Sequence, residues 1–111
     1  MEYTIYQIKD VRNTIYAFRG WCDVVATNFN IDDYAIAYIG EMVTPDNIVP
    51  ENFLDVLFEK FNINRPDDFA GHSLSVSDMI VLNNHGKAIW YYCDSFGWEN
   101  ITEFVLNRIK E

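Results

Sequence analysis

The sequence lacks the features that mark membrane, exported and repetitive proteins. It has no run of about 20 apolar residues, so we expect no membrane-spanning helix and no membrane contact. The opening residues, Met1–Thr4, contain neither a basic region nor an apolar stretch, so we expect no signal peptide. Internal repeats and low-complexity segments are absent. The length of 111 residues predicts a single domain over residues 1–111, and the lack of an export signal predicts a location in the cytoplasm.

Cysteine and glycine are too few and too scattered to form a recognised cofactor site. The two cysteines, Cys22 and Cys93, provide neither a disulfide framework nor a zinc-ligand pattern, so we expect two reduced, partly buried thiols. The five glycines form no phosphate-binding loop. We therefore expect no cofactor and no metal. The other side chains that can ligate a metal match no recognised spacing: His72, Asp78, His85 and Asp94.

Basic residues are absent from Gly20 to Glu59, which we call the acidic segment. It contains eight acidic residues and carries −8 of the net charge of −9. Proteins that bind nucleic acid present a basic face, so we expect no direct nucleic-acid binding. The segment permits a basic protein partner, including a DNA-binding one. Alternatively, it is a solvated surface that keeps the protein soluble. Its candidate surface residues are Asp32, Asp33, Asp55 and Glu59.

The sequence does contain the apolar patterns of β-strands. Stretches rich in β-branched and aromatic residues predict strands at residues 2–8, 34–39, 79–82 and 88–93. Asn and Gly residues at 83–86 predict a hairpin turn between the last two strands. Because residues 34–39 are apolar on both faces, this strand is predicted to lie in the centre of the sheet.

Helical spacing of apolar residues appears in three other segments. It predicts helices over residues 21–27, from Val49 to Phe61, and from Asn100 towards the C-terminus. Residues 94–98 are predicted as a turn. We therefore expect an α+β fold: a mostly antiparallel sheet of about four strands with two to three helices packed on one face. The buried stripe of the middle helix is predicted to contain Phe53, Leu54, Leu57, Phe58 and Phe61.

The stretch Gly71–Leu82 begins as a hydroxyl-rich loop and ends as an apolar strand. Every second residue from Ser73 to Ser77 is a serine, so the hydroxyls would share one face if the segment were extended. On one interpretation this face contacts a partner. On another, Ser77 and Asp78 hydrogen-bond to backbone groups of the loop. The candidate interaction residues are His72, Ser73, Ser75, Ser77, Asp78 and Asp94.

A catalytic use of the same region is a further alternative. Cys93, His72 and Asp94 include a thiol, a base and an orienting carboxylate. Cys93, however, lies in a predicted strand of aromatic residues, where a thiol is usually packed and inert. We assign no catalytic residues, and a small enzyme that uses His72 with Asp78 or Cys93 stays open as an alternative.

The segment Gly71–Ile80, GHSLSVSDMI, resembles the YodL-like family. These are small domains of unknown activity, found in Firmicutes and often encoded on conjugative transposons. Residues 62–69 are similar to the family's FN-x-x-RP-x-DF pattern. Residues 91–98 are similar to its YY-x-DS-x-GF pattern, with Trp98 where Phe is usual. The opening strand, residues 3–8, matches too, so the resemblance covers nearly the whole chain and is weakest from residue 12 to residue 29.

The resemblance implies a mobile-element context in a gut-type bacterium and implies no catalytic residues. We therefore expect a non-enzymatic module that binds an unidentified protein partner, with a basic or DNA-binding protein as the candidate. Mobile elements also encode antirestriction factors, so an acidic DNA mimic that inhibits a restriction or nuclease system is an alternative.

Overall fold

The strand-forming stretches assemble into a five-stranded antiparallel sheet. The computed structural model describes residues 1–25, 29–44, 48–69, 71–84, 86–95 and 97–109. The strands run in the order β2-β1-β3-β4-β5. They are β1 (Glu2–Ile8), β2 (Tyr34–Glu41), β3 (Met79–Asn84), β4 (Lys87–Asp94) and β5 (Gly97–Asn100).

Within the described ranges, three α-helices accompany the sheet, and the α+β class with an antiparallel sheet is confirmed. The helices are α1 (Trp21–Val25), α2 (Pro50–Ile63) and α3 (Thr102–Ile109). The first was expected to continue to residue 27, but residues 26–28 lie outside the described part of the chain. In the described residues, no helix is both long and apolar enough to cross a membrane.

The helices lie on both faces of the sheet, so the prediction that they share one face was wrong. Successive strand residues point to opposite faces. In β3, Ile80 packs in a cluster with α2, whereas its neighbour Met79 packs in a second cluster with α1 and α3. Both residues are fully buried because the sheet is apolar on both sides. We call these two sides the α2 face and the α1–α3 face.

The hairpin between β3 and β4 is confirmed. The strands pair from Met79 opposite Tyr92 to Asn84 opposite Lys87. Gly86 has a φ of 82°, a conformation that glycine adopts without steric cost. His85, inside the same turn, lies outside the described residues.

Two predictions about strands are corrected by the topology. Strand β2 is an edge strand, because β1 pairs with it on one side only, and Ile36 and Ile39 are 54% and 67% exposed. Apolar residues on both faces therefore did not indicate a central position. The predicted turn at residues 94–98 ends early, since Gly97–Asn100 pairs with the end of β4 and places Trp98 opposite Cys93.

Helix α2 begins at Pro50, which is tolerated in a first turn because that backbone nitrogen needs no partner. Four of its five predicted core residues are buried, but Phe58 is 37% exposed and its ring lies beside Trp98 of β5. Before α3, the Asn100 side chain accepts a hydrogen bond from the Thr102 backbone N–H at 3.1 Å, as a capping residue does.

Candidate functional site

The loop that enters β3 is fixed to the sheet at Gln7 of β1. Leu74 is buried in the core beneath α2 and anchors the middle of the loop. Gly71 passes directly over Gln7. A Cβ at this position would overlap Gln7 Oε1 and lie 2.9 Å from the Phe69 ring. The absence of a side chain at Gly71 therefore allows the loop to approach the sheet closely.

Asp78 is the buried centre of this loop. Its Oδ2 accepts hydrogen bonds from Gln7 Nε2 at 3.1 Å and from the Ser75 backbone N–H at 2.9 Å. The side chain of Asp78 is almost inaccessible to solvent. Burial raises the pKa of Asp78 to about 6, although the Ser75 N–H, the His72 ring and the Gln7 amide all act to lower it. Asp78 therefore organises the loop and is not available for direct contact with a partner.

His72 directs both ring nitrogens towards oxygens of the protein itself. Gln7 Nε2 carries two hydrogens, and its two shortest contacts are the His72 carbonyl at 2.8 Å and Asp78 Oδ2. Because a carbonyl oxygen only accepts, His72 Nδ1 carries the hydrogen and donates it to the Ser73 carbonyl at 2.7 Å. Nε2 then lies 3.9 Å from Asp78 Oδ1. The arrangement orients the ring, and it gives no support to His72 as a base for a substrate.

Phe18 and Ser77 form a strained pair next to the histidine. Their φ angles are 63° and 84°, in the left-handed region that bulky residues rarely adopt. The Phe18 backbone N–H donates to Ser77 Oγ at 2.9 Å. The Phe18 side chain is 53% exposed, and its ring centroid lies 6.1 Å from that of His72. Surrounding contacts must hold this conformation, and such strain is concentrated at functional sites.

Ser77 is held from three directions. Besides accepting from Phe18, it donates its backbone N–H to the Cys93 carbonyl at 3.0 Å, and its own carbonyl accepts from the Tyr34 hydroxyl at 2.6 Å. These bonds keep the segment from Ser75 to Asp78 in a tight turn. The serine hydroxyls therefore do not share a face, since Ser73 is exposed whereas Ser77 is buried. Asp78 bonds to a backbone donor of the loop, at Ser75, as the second interpretation predicted, whereas the Ser77 hydroxyl bonds to a backbone donor outside the loop, at Phe18.

We define the loop surface as the exposed or partly exposed residues that this framework supports. Phe18, His72 and Ser73 are exposed, and Ser75 is partly exposed, with its hydroxyl donating to the Ser73 carbonyl at 3.0 Å. Of the predicted interaction residues, His72, Ser73 and Ser75 therefore lie together at the surface.

Asp94 lies at the end of β4, next to the first residue of α1. Its Oδ1 accepts hydrogen bonds from the backbone N–H groups of Trp21, at 3.2 Å, and Ser95, at 2.7 Å. A Cβ at Gly20 would lie 2.8 Å from the same oxygen. Asp94 thus positions the start of α1, directly after the segment that carries Phe18.

Cys93 does not have the environment of a nucleophile. It is buried, and burial raises the pKa of its thiol to about 12, with smaller contributions from Asp78 and Asp94. The thiol is therefore neutral and weakly reactive at neutral pH. Cys22 is a free cysteine at the surface. In the described residues, no group of three or more His, Cys, Asp or Glu side chains is arranged to hold a metal ion.

The acidic side chains are spread over different parts of the molecule. Asp33, just before β2, accepts a hydrogen bond from the Tyr16 hydroxyl on the α1–α3 face. Asp55, on α2, lies with Trp98 of β5 at the opposite edge of the sheet. Among the described acidic residues, Asp33 and Asp55 therefore lie towards opposite edges of the sheet. Two further candidates are exposed, Asp32 and Glu59.

A comparison with protein families decides the relationship suggested by the sequence. The family model of the YodL-like domain matches residues 2–104. The chain belongs to the YodL-like family. No curated protein and no solved structure matches it significantly.

The sequence did not point to two residues of the candidate site in this YodL-like domain, Gln7 and Phe18. Gln7 occupies a position of β1 that points to the α2 face, like Tyr3 and Ile5, so a polar residue at an inward-facing position was the available signal. Phe18 gave no signal, because nothing in its neighbourhood indicates a positive φ for an aromatic residue.

Proposed function

We propose that this YodL-like domain is a non-enzymatic interaction module that binds a protein partner through the loop surface. The observation that carries the proposal is the exposed Phe18 ring, held in a left-handed backbone conformation and packed beside His72. An exposed aromatic side chain is an effective anchor for a protein interface. A backbone conformation that costs about 1–3 kcal/mol persists only where its surroundings impose it.

Preorganisation supports the same interpretation. The loop surface is fixed beneath by Asp78, which is bonded to Gln7, and beside it by Ser77, which is bonded to Phe18. A partner that docks there would not have to order the loop. Rigid binding surfaces lose less conformational entropy on association, so a small contact area can give useful affinity.

The expected partner is a protein with a basic surface. The acidic segment lacks Lys and Arg and carries a charge of −8, and opposite charges on two proteins increase the rate at which they associate.

On the family resemblance, we also propose that the gene is carried by a mobile genetic element, which sequencing of the flanking genes tests. A flanking region without integration or conjugation genes would contradict that part of the proposal.

The test is affinity capture with nuclease treatment, comparing the native chain with Phe18→Ala and Ile15→Ala. Ile15 lies in the same segment, is 74% exposed and is not one of the loop-surface residues, so its replacement removes an exposed apolar side chain while Phe18 is kept. We expect a protein captured by the native chain and by Ile15→Ala, and lost with Phe18→Ala. Equal capture by all three forms, or no specific capture, would contradict the proposed function.

A further inference from the structure

A groove next to the loop surface combines aromatic walls with carboxylates. It has a volume of about 250 Å³ and lies between α2 and the β4–β5 hairpin. The described residues that line it include Phe58 and Trp98, whose ring centroids are 6.3 Å apart with the planes at 81°. Because the two ring planes are almost perpendicular, the side chains form two adjoining walls of the groove.

The charges in the groove are of one sign. Asp55 lines the groove from α2, and Asp94 lines it at the end of β4, where its Oδ1 accepts hydrogen bonds from the Trp21 and Ser95 backbone N–H groups. The thiol of Cys93, which also lines the groove, is neutral because burial raises its pKa to about 12. Within the described part of the chain, the lining contains no Lys, Arg or His. Aromatic faces and carboxylates both attract cations, so the lining is complementary to a positively charged group.

The size of the groove restricts the occupant. Sites for drug-sized ligands usually have volumes of about 300–1,000 Å³, and this groove is smaller. One side chain with an apolar stem and a cationic end suits it, with the stem against the rings and the charge beside the Asp55 carboxylate. The groove adjoins the same loop, since Val76, which follows Ser75 of the loop surface in the chain, lines the groove.

We propose that this groove binds the Lys or Arg side chain of a basic protein partner. The inference rests on the proposed function, because it assigns one pocket of the interface to a basic side chain of that partner. The loop surface supplies the aromatic anchor at Phe18, and the groove selects for positive charge.

The test uses small probes and does not require the partner. The indole N–H signal of Trp98 is followed by NMR while acetyl-Gly-Arg-Gly-amide or its lysine counterpart is added. The norleucine peptide, which has an apolar and uncharged side chain, is the control. We expect a saturable shift with at least one basic peptide and none with the norleucine peptide.

A pair of variants with the same change in charge locates the site. Asp55→Asn and Glu59→Gln each remove one negative charge from exposed positions of α2, but only Asp55 lines the groove. We expect Asp55→Asn to weaken peptide binding by up to about fivefold, the upper end of the range for exposed ion pairs, and Glu59→Gln to leave it almost unchanged. Phe58→Leu should weaken it by a similar factor through the loss of a cation–π contact.

Several results would overturn the inference. These are no saturable shift with either basic peptide, equal effects of Asp55→Asn and Glu59→Gln, or tighter binding of tetramethylammonium than of both peptides. The last result would assign the groove to small organic cations. If the peptides bind in the groove while capture finds no partner, only the proposed function fails. If a partner is captured through Phe18 while the peptides do not bind, only the groove assignment fails.

Discussion

The Ser77 hydroxyl accepts a hydrogen bond from the Phe18 backbone N–H at 2.9 Å, and both residues have positive φ angles. This single bond connects the segment before α1 to the loop before β3. It also aligns the one strained aromatic residue of the described chain with His72, so that an exposed ring pair rests on a buried polar framework.

Replacing Phe18 with glycine or alanine should separate the energetic cost of its positive φ from the contribution of its ring to partner binding. Both changes remove the ring, and we expect both to abolish partner capture. Glycine adopts a positive φ without the steric cost that alanine has, so Phe18→Gly should be more stable than Phe18→Ala by about 1 kcal/mol. Urea unfolding measures this difference. Equal stability of the two variants would mean that the backbone at residue 18 is not left-handed in solution.

Gln7→Leu should destabilise the fold by about 1–3 kcal/mol, since Asp78 Oδ2 and the His72 carbonyl lose a donor. The variant keeps a side chain of similar size, so loss of packing is limited. A double-mutant cycle with Asp78→Ala, which removes the acceptor, is measured by chemical denaturation and gives the coupling energy. Strictly additive effects of the two substitutions would show that Gln7 and Asp78 do not interact.

The buried carboxyl of Asp78 should make stability depend on pH. Its pKa is about 6 in the folded protein and near 3.9 in an unfolded chain, so the folded state binds the proton more tightly. The free energy of unfolding should therefore fall as pH rises from about 4 to about 6, by up to about 3 kcal/mol from this group, and then level off.

Asp78→Asn removes this titration while keeping the shape of the side chain. We expect the variant to lose the decrease between pH 4 and pH 6 relative to the native protein. Thermal unfolding across this range tests the sign. A native-minus-variant difference that rises with pH would show that the carboxylate is stabilised by its neighbours more than burial destabilises it.

The two thiols should react at very different rates. Cys22 is exposed, whereas Cys93 is buried with a pKa of about 12. At pH 8 we expect one thiol to react quickly with a disulfide reagent and the second to react only after unfolding. The variants Cys22→Ser and Cys93→Ala identify the reactive group. Rapid modification of Cys93 in the native protein would contradict its burial.

The sequence predicted the elements better than their arrangement. The β3–β4 hairpin was predictable because Asn and Gly supply the turn and both strands are strongly apolar. The position of β2 was not, because an apolar strand does not reveal how many neighbours it has. Strand β5 was missed because it has only four residues and contains Gly97, Glu99 and Asn100, which are poor strand formers.

The site was predictable in part. The hydroxyl-rich loop identified His72, Ser73 and Ser75, which reach the surface together. It could not reveal that Ser77 turns inward to meet Phe18, since that contact joins residues 59 positions apart. Backbone strain and long-range side-chain bonds depend on the tertiary fold, and a local pattern of residues contains neither.

Hydrogen exchange of the native chain, free and bound to a captured partner, tests the central claim most directly. The amides of residues 16–20 and 71–77 carry the loop surface, and we expect them to exchange more slowly in the complex. The amides of β2, at the far edge of the sheet, should be unchanged. Protection confined to β2 or to α3, with the loop surface unaffected, would contradict the claim that the partner docks at Phe18 and His72.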